Sequence, residues 1–167
     1  MHLAKLAQRV PYDACVPAAP GDRAPTFVLP DIATGEDVTN PWTDGPVVLA
    51  FFKVSCPVCQ MAAPKVQALA DGGLRVVAIG EDPAAALATY AERYGQGVPT
   101  VSEPRPYRVS DAYGLVSVPT LVLVGEDGIV QEKVVAWDRA KWNALATAAG
   151  GPPVSKEGDG LPSFRPG

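Results

Sequence analysis

Cysteine is scarce here, with three among 167 residues, too few to staple a small fold with disulfides. Basic charge is scarce too: 14 Lys and Arg stand against 18 Asp and Glu, a formal net charge of −4. With no basic excess, nothing in the chain points to nucleic acid or to an anionic membrane surface. No apolar run approaches the length needed to span a bilayer. Residues 1–20 carry Lys5 and Arg9 but no continuous apolar core of the signal-peptide kind, so the chain as written is expected in the cytoplasm. No internal repeat is visible. What remains is the composition of an ordinary globular protein enriched in proline, glycine and alanine, of a length that suits one domain with a well-formed core.

The chain is organised around residues 46–60. An apolar run, Pro46-Val47-Val48-Leu49-Ala50-Phe51-Phe52, leads through Lys53-Val54-Ser55 into Cys56-Pro57-Val58-Cys59. An Ala-rich segment with helical spacing follows over residues 61–70, which reads as a buried strand, a sharp turn and a helix. Proline suits the first helical turn, where its missing N–H has no intrahelical partner. Cys56 then lies at the helix N-terminus, where unpaired N–H groups and the macrodipole favour the thiolate, the reactive form of cysteine. Cys59, one turn on, lies on the same face and can close a short disulfide with Cys56. The chemistry this predicts is thiol–disulfide exchange. Two other readings stand beside it: a zinc half-site, for which Cys15 and His2 are the remaining soft ligands, and a pair of inert core thiols. With Cys56 and Cys59 paired, Cys15 is left as a resolving thiol, an intermolecular thiol or a bystander.

In chain order, residues 1–7 read as a short helix and residues 10–22 as a Pro-rich connector. Residues 26–30 and 36–39 form a short strand pair around a Gly-containing turn. Residues 74–80 are a second buried strand. Asp82-Pro83 opens a helix to about Tyr94, with Asp82 as N-cap. A short strand over 98–101 and a short helix over 109–113 precede a hairpin of residues 120–124 and 129–135, turned by Asp127-Gly128. Asp138 caps a closing helix that stops at Gly150-Gly151. The expected division is an N-terminal arm over 1–22, a folded domain over 23–150 and a disordered Pro/Gly-rich tail over 151–167. Strands alternating with helices before a hairpin predict an α/β fold with a mixed sheet covered on both faces. The cysteine pair then sits at the carboxyl end of a central strand, the edge where open α/β sheets place their ligands.

This order of elements resembles the thioredoxin fold. The motifs that carry the resemblance are Phe51-Phe52-x-x-x-Cys56-Pro57-Val58-Cys59, then Val118-Pro119-Thr120 ahead of the hairpin, and Gly21-Asp22-x-Ala24-Pro25-x-Phe27 at the start. The match covers about residues 25–149. It is nearest to the TlpA/ResA-like thiol–disulfide oxidoreductases of the AhpC/TSA redoxins, which implies a mixed central sheet flanked by helices, with an extra N-terminal β-hairpin. The resemblance makes Val118-Pro119 the cis-proline loop that lies against the cysteine turn and pairs with an extended substrate segment; the alternative is a trans Pro119 that simply begins a strand. It makes Glu81 an acid near the thiols, able to take the proton of Cys59 and return it, against the plainer reading of a solvated strand end.

Departures accompany the match. Thioredoxin carries a buried acid six residues before its first cysteine; here that position is Ala50. The dipeptide between the cysteines is Pro-Val, where thioredoxin has Gly-Pro. Lys53 either faces the thiolate or is a solvated strand-end lysine. Two functional classes follow. One is a dithiol–disulfide oxidoreductase in which Cys56 attacks and Cys59 resolves. The other is a peroxiredoxin-type thiol peroxidase, whose Pro-x-x-x-Thr-x-x-Cys pattern fits neither register: Phe52 and Cys56 fill the Pro and Thr positions aligned on Cys59, and Leu49 and Lys53 aligned on Cys56. A non-enzymatic binding module on the same scaffold would not need both cysteines. The expectation is an enzyme with no metal and no cofactor beyond the Cys56–Cys59 couple. It would act as a monomer on protein or small-molecule disulfides and be recharged by an upstream dithiol reductant.

Overall fold

The computed structural model describes residues 18–167. The expected helix over 1–7, the connector up to residue 17, His2 and Cys15 lie outside the described residues. The chain opens with an antiparallel pair, β1 (Val28–Pro30) and β2 (Asp37–Thr39), followed by a 3-10 turn at Pro41–Asp44. Then come β3 (Val47–Phe52), α1 (Pro57–Asp71), β4 (Val76–Gly80), α2 (Ala84–Tyr94), β5 (Thr100–Ser102) and α3 (Arg108–Ala112). The hairpin is β6 (Thr120–Val124) and β7 (Val130–Val135); β8 (Trp137–Asp138), α4 (Arg139–Ala148) and β9 (Phe164–Arg165) end the chain.

The central sheet has five strands in the order β5-β4-β3-β6-β7. β3, β4 and β5 run parallel, whereas β6 and β7 are antiparallel to their neighbours. All six residues of β3 are buried, because both faces of the sheet are covered. Val48, Ala50 and Phe52 face one core with α1, α2 and α4; Val47, Leu49 and Phe51 face a second core with Phe27, Leu29, Trp42 and Tyr113. The architecture is thioredoxin-like, with the extra N-terminal hairpin over the second face.

α1 turns Val58, Cys59, Ala62, Ala63, Val66 and Leu69 into the first core, a spacing of three and four residues along one helix face. Pro64 sits on the exposed side of this helix, where its ring faces solvent. Gly80 lets α2 approach β4, since a Cβ there would run into the Leu87 side chain and stand 3.1 Å from Phe52 Cζ.

The structure corrects two expectations. Asp82 does not cap α2: the N-cap is Pro83, without a side-chain bond, and the Asp82 carboxylate instead accepts the Val54 N–H at 2.9 Å. The tail over 151–167 is not disordered. Val154 is buried, and Asn143 of α4 binds residues 154 and 155 through three hydrogen bonds of 2.8–3.1 Å. Asp159 accepts from Ser155 Oγ at 2.6 Å and from Leu161 N at 3.0 Å, and pairs with Lys65 of α1 at 3.0 Å and Arg139 of α4 at 3.3 Å. These donors, the Ser155 hydroxyl first, hold its carboxyl below the usual carboxylate range. Trp137 Nε1 donates to Pro162 O at 2.7 Å, and β9 pairs with β8. The composition of this segment is that of a flexible linker, but its order comes from partners on α1 and α4 that composition does not reveal.

Candidate active site

β3 delivers the chain to the carboxyl edge of the sheet, and the turn that follows is clamped from two sides. Asp82, beyond the end of β4, holds Val54 N, and Gln60 Nε2 in the first turns of α1 donates to Val54 O at 2.8 Å. Cys56 N donates to Lys53 O at 3.2 Å. Cys56 is thereby fixed as the N-cap of α1, in extended conformation, with Pro57 at the first helical position. Its sulfur takes the place that a serine or aspartate oxygen fills in most caps: it accepts the Cys59 N–H at 3.2 Å. That bond aims a backbone N–H of the first helical turn at this sulfur.

Both cysteines are free thiols, Cys56 half-buried and Cys59 buried. Burial first, then the hydrogen bond with Cys56, pushes the Cys59 thiol far above its ordinary value, so it stays protonated. One sulfur can thus meet a substrate while the other waits, protonated, beneath it.

The Val118–Pro119 peptide is cis, Pro119 is buried, and the Cys56 thiol donates to Val118 O at 3.5 Å. The expected loop is therefore in contact with the cysteine turn. Earlier in the chain, the buried carboxylate of Glu103 accepts from Val109 N, Ser110 N and Ser110 Oγ at 2.6–2.9 Å and so anchors α3.

Glu81 follows the last residue of β4, and its carboxylate is ion-paired with Lys53 at 3.4 Å. Lys53 therefore meets a carboxylate, and neither reading made of it from the sequence describes this pair. Glu81 and Lys53 line a hollow of about 180 Å³ together with Leu115, Val116, Ser117 and Val118. Ala50 is buried in the same core as Cys59, so no acid lies beneath the thiols from that strand position. That core also holds the Tyr90 hydroxyl, which has no hydrogen-bond partner among the described residues. Its ring stacks on Phe52 with centroids 4.9 Å apart. Burial, the largest cause, pushes this phenol above its ordinary value and keeps it protonated.

Sequence reasoning did not mark Tyr90, Gln60, Asp82 in its actual role, or Glu103. Tyr90 lies inside the helix that the sequence predicts, with no local signal to single out its hydroxyl, and the other three act through contacts 6 to 28 residues away.

The arrangement has known relatives. The AhpC/TSA family model matches residues 20–133. The chain belongs to this family. Among its redoxins, the chain is similar to the thiol-disulfide oxidoreductase ResA of Halalkalibacterium halodurans, 31% identical over 117 residues, 66% of this chain and 65% of that protein. It thus spans 65% of the length of that relative. The fold also matches the thioredoxin domain of a thiol-disulfide oxidoreductase from Bacteroides vulgatus, with a TM-score of 0.67 at 20% identity, covering 78% of this chain and 98% of that one. A thiol:disulfide interchange protein from Bacteroides sp. matches with a TM-score of 0.66 at 21% identity, covering 88% and 99%. As a TlpA/ResA-like redoxin, the chain keeps the family's fold around its own Cys-Pro-Val-Cys turn.

Proposed function

We propose that this redoxin is a thiol–disulfide oxidoreductase working through the Cys56–Cys59 couple. The observation that carries the proposal is the asymmetry of the two thiols: Cys56 half-buried with an N–H on its sulfur, Cys59 buried and protonated. The Cys56 thiolate attacks a substrate disulfide, one substrate thiolate leaves, and a mixed disulfide joins Cys56 to the substrate. Cys59 then loses its proton and attacks the Cys56 sulfur. The second substrate thiolate leaves and the Cys56–Cys59 disulfide closes, so two electrons have passed to the substrate. A dithiol donor reverses the change, and the couple needs no other cofactor.

In this scheme Glu81, which lines a hollow with Val118, takes the proton that Cys59 releases, and Val118-Pro119 lies alongside the bound substrate. The expected cytoplasmic, reducing role enters only through the potential of the couple, which equilibration with glutathione would measure.

The test is trapping. Cys59→Ser should accumulate a mixed disulfide through Cys56, and Cys56→Ser should reduce no disulfide. Labelling of Cys59 first would reverse the assignment. Turnover of hydrogen peroxide in preference to disulfides of any size by the reduced protein would move the chain to the thiol peroxidases.

A further inference from the structure

The last described residues run toward the redox turn. β9 pairs with β8, Arg165 opposite Trp137 and Phe164 opposite Asp138. From there Arg165 Nη1 reaches Met61 Sδ of α1 at 3.9 Å. Gly167 then lies directly on the Val118 carbonyl: a Cβ at this residue would collide with the Val118 oxygen and stand 2.8 Å from its carbonyl carbon and 3.4 Å from Ser117 Oγ. That same oxygen accepts the Cys56 thiol at 3.5 Å. Residues 164–167 thus form a strap from β8, across the first turns of α1, to the carbonyl that accepts the Cys56 thiol.

A disulfide that reacts with Cys56 must bring its sulfur beside Val118. A small disulfide brings few other atoms. A cysteine within a polypeptide brings backbone on both sides, and that backbone needs the space along Val118 that the strap fills. We infer that residues 164–167 are a specificity element of the active site, admitting low-molecular-weight disulfides and excluding extended polypeptide segments. This inference rests on the oxidoreductase reading and names its substrate class. The strap is held by a two-residue ladder and its side chains are exposed, so it can be removed without opening either core.

The test uses two variants. Deletion of residues 164–167 keeps the Pro162 and Ser163 carbonyls that bind Trp137 Nε1 and Arg139 N. Gly167→Ala keeps the full length and pushes the strap end off Val118 by the collision described. Each is compared with the parent for exchange with insulin and with hydroxyethyl disulfide, and for alkylation of Cys56 by iodoacetamide and by a polyethylene-glycol maleimide. The deletion should speed insulin reduction and the bulky alkylation about tenfold, leaving the small disulfide and iodoacetamide within about twofold; Gly167→Ala should shift the same rates by less. Unchanged insulin and bulky-reagent rates in both variants, with the small disulfide still turned over, would overturn the strap and leave the oxidoreductase standing. Silence toward every disulfide in parent and variants alike would remove the oxidoreductase reading, and the specificity claim with it.

Discussion

Raising the pH should destabilise the reduced protein more steeply than the oxidised one, because the fold forces Cys59 to keep a proton that the unfolded chain releases. In the fold, burial and then the hydrogen bond with Cys56 raise the Cys59 thiol well above its ordinary value of 9.0. Unfolded, it ionises near that ordinary value. Above this pH the unfolded state binds fewer protons than the folded state, so stability falls as pH rises. The contribution is fully present below about pH 9 and is lost as pH climbs from there toward the folded-state value. One proton corresponds to about 1.4 kcal/mol per pH unit, which gives a loss of about 2 kcal/mol between about pH 9 and about pH 10.5. Tyr90 and Tyr113 are also pushed up by burial, from an ordinary value of 10.0, and act in the same direction. They remain in both redox forms, whereas closing the Cys56–Cys59 disulfide removes both thiols. The difference between reduced and oxidised protein therefore isolates the cysteine pair, in which Cys59 is the thiol that burial holds protonated. Denaturant unfolding of both forms across this range, with m-values checked for constancy, reads it directly. Parallel loss in the two forms would mean that Cys59 ionises as readily inside the fold as outside it. The account of a protected resolving thiol would then fail.

Two further outcomes follow from the same geometry. Tyr90→Phe removes a buried hydroxyl that has no partner among the described residues, and should leave the protein equally stable or raise its stability by about 1 kcal/mol in denaturant unfolding; a loss above that size would show that the hydroxyl has a partner in solution. Asn143→Ala removes the three hydrogen bonds that pin residues 154 and 155, and should cost about 1–3 kcal/mol while speeding amide exchange at Val154 and Ser155; undisturbed protection there would show that other contacts order the tail.

The sequence alone determined the elements whose signals are local. β3 was legible as an unbroken apolar run, α1 as helical spacing behind a first-turn proline, and the β6–β7 hairpin from Asp127-Gly128. The cysteine pair was legible for the same reason, since residues three apart at a helix start share a face whatever surrounds them. Asp138 was legible as a cap because its carboxylate binds the Lys141 N–H, three residues on. Tertiary structure decided the rest. Asp82 left its cap for Val54, 28 residues back, because the end of β4 lies beside the cysteine turn. Lys53 found Glu81 because β3 and β4 are paired neighbours that end together. The linker-like tail acquired order from Lys65, Arg139 and Asn143, and reached Val118 across α1. A local pattern can show which residues want burial or a cap. Which buried groups lack a partner, and which distant side chain supplies one, depends on how the strands are ordered in space, and that is set only once the sheet has closed around its two cores.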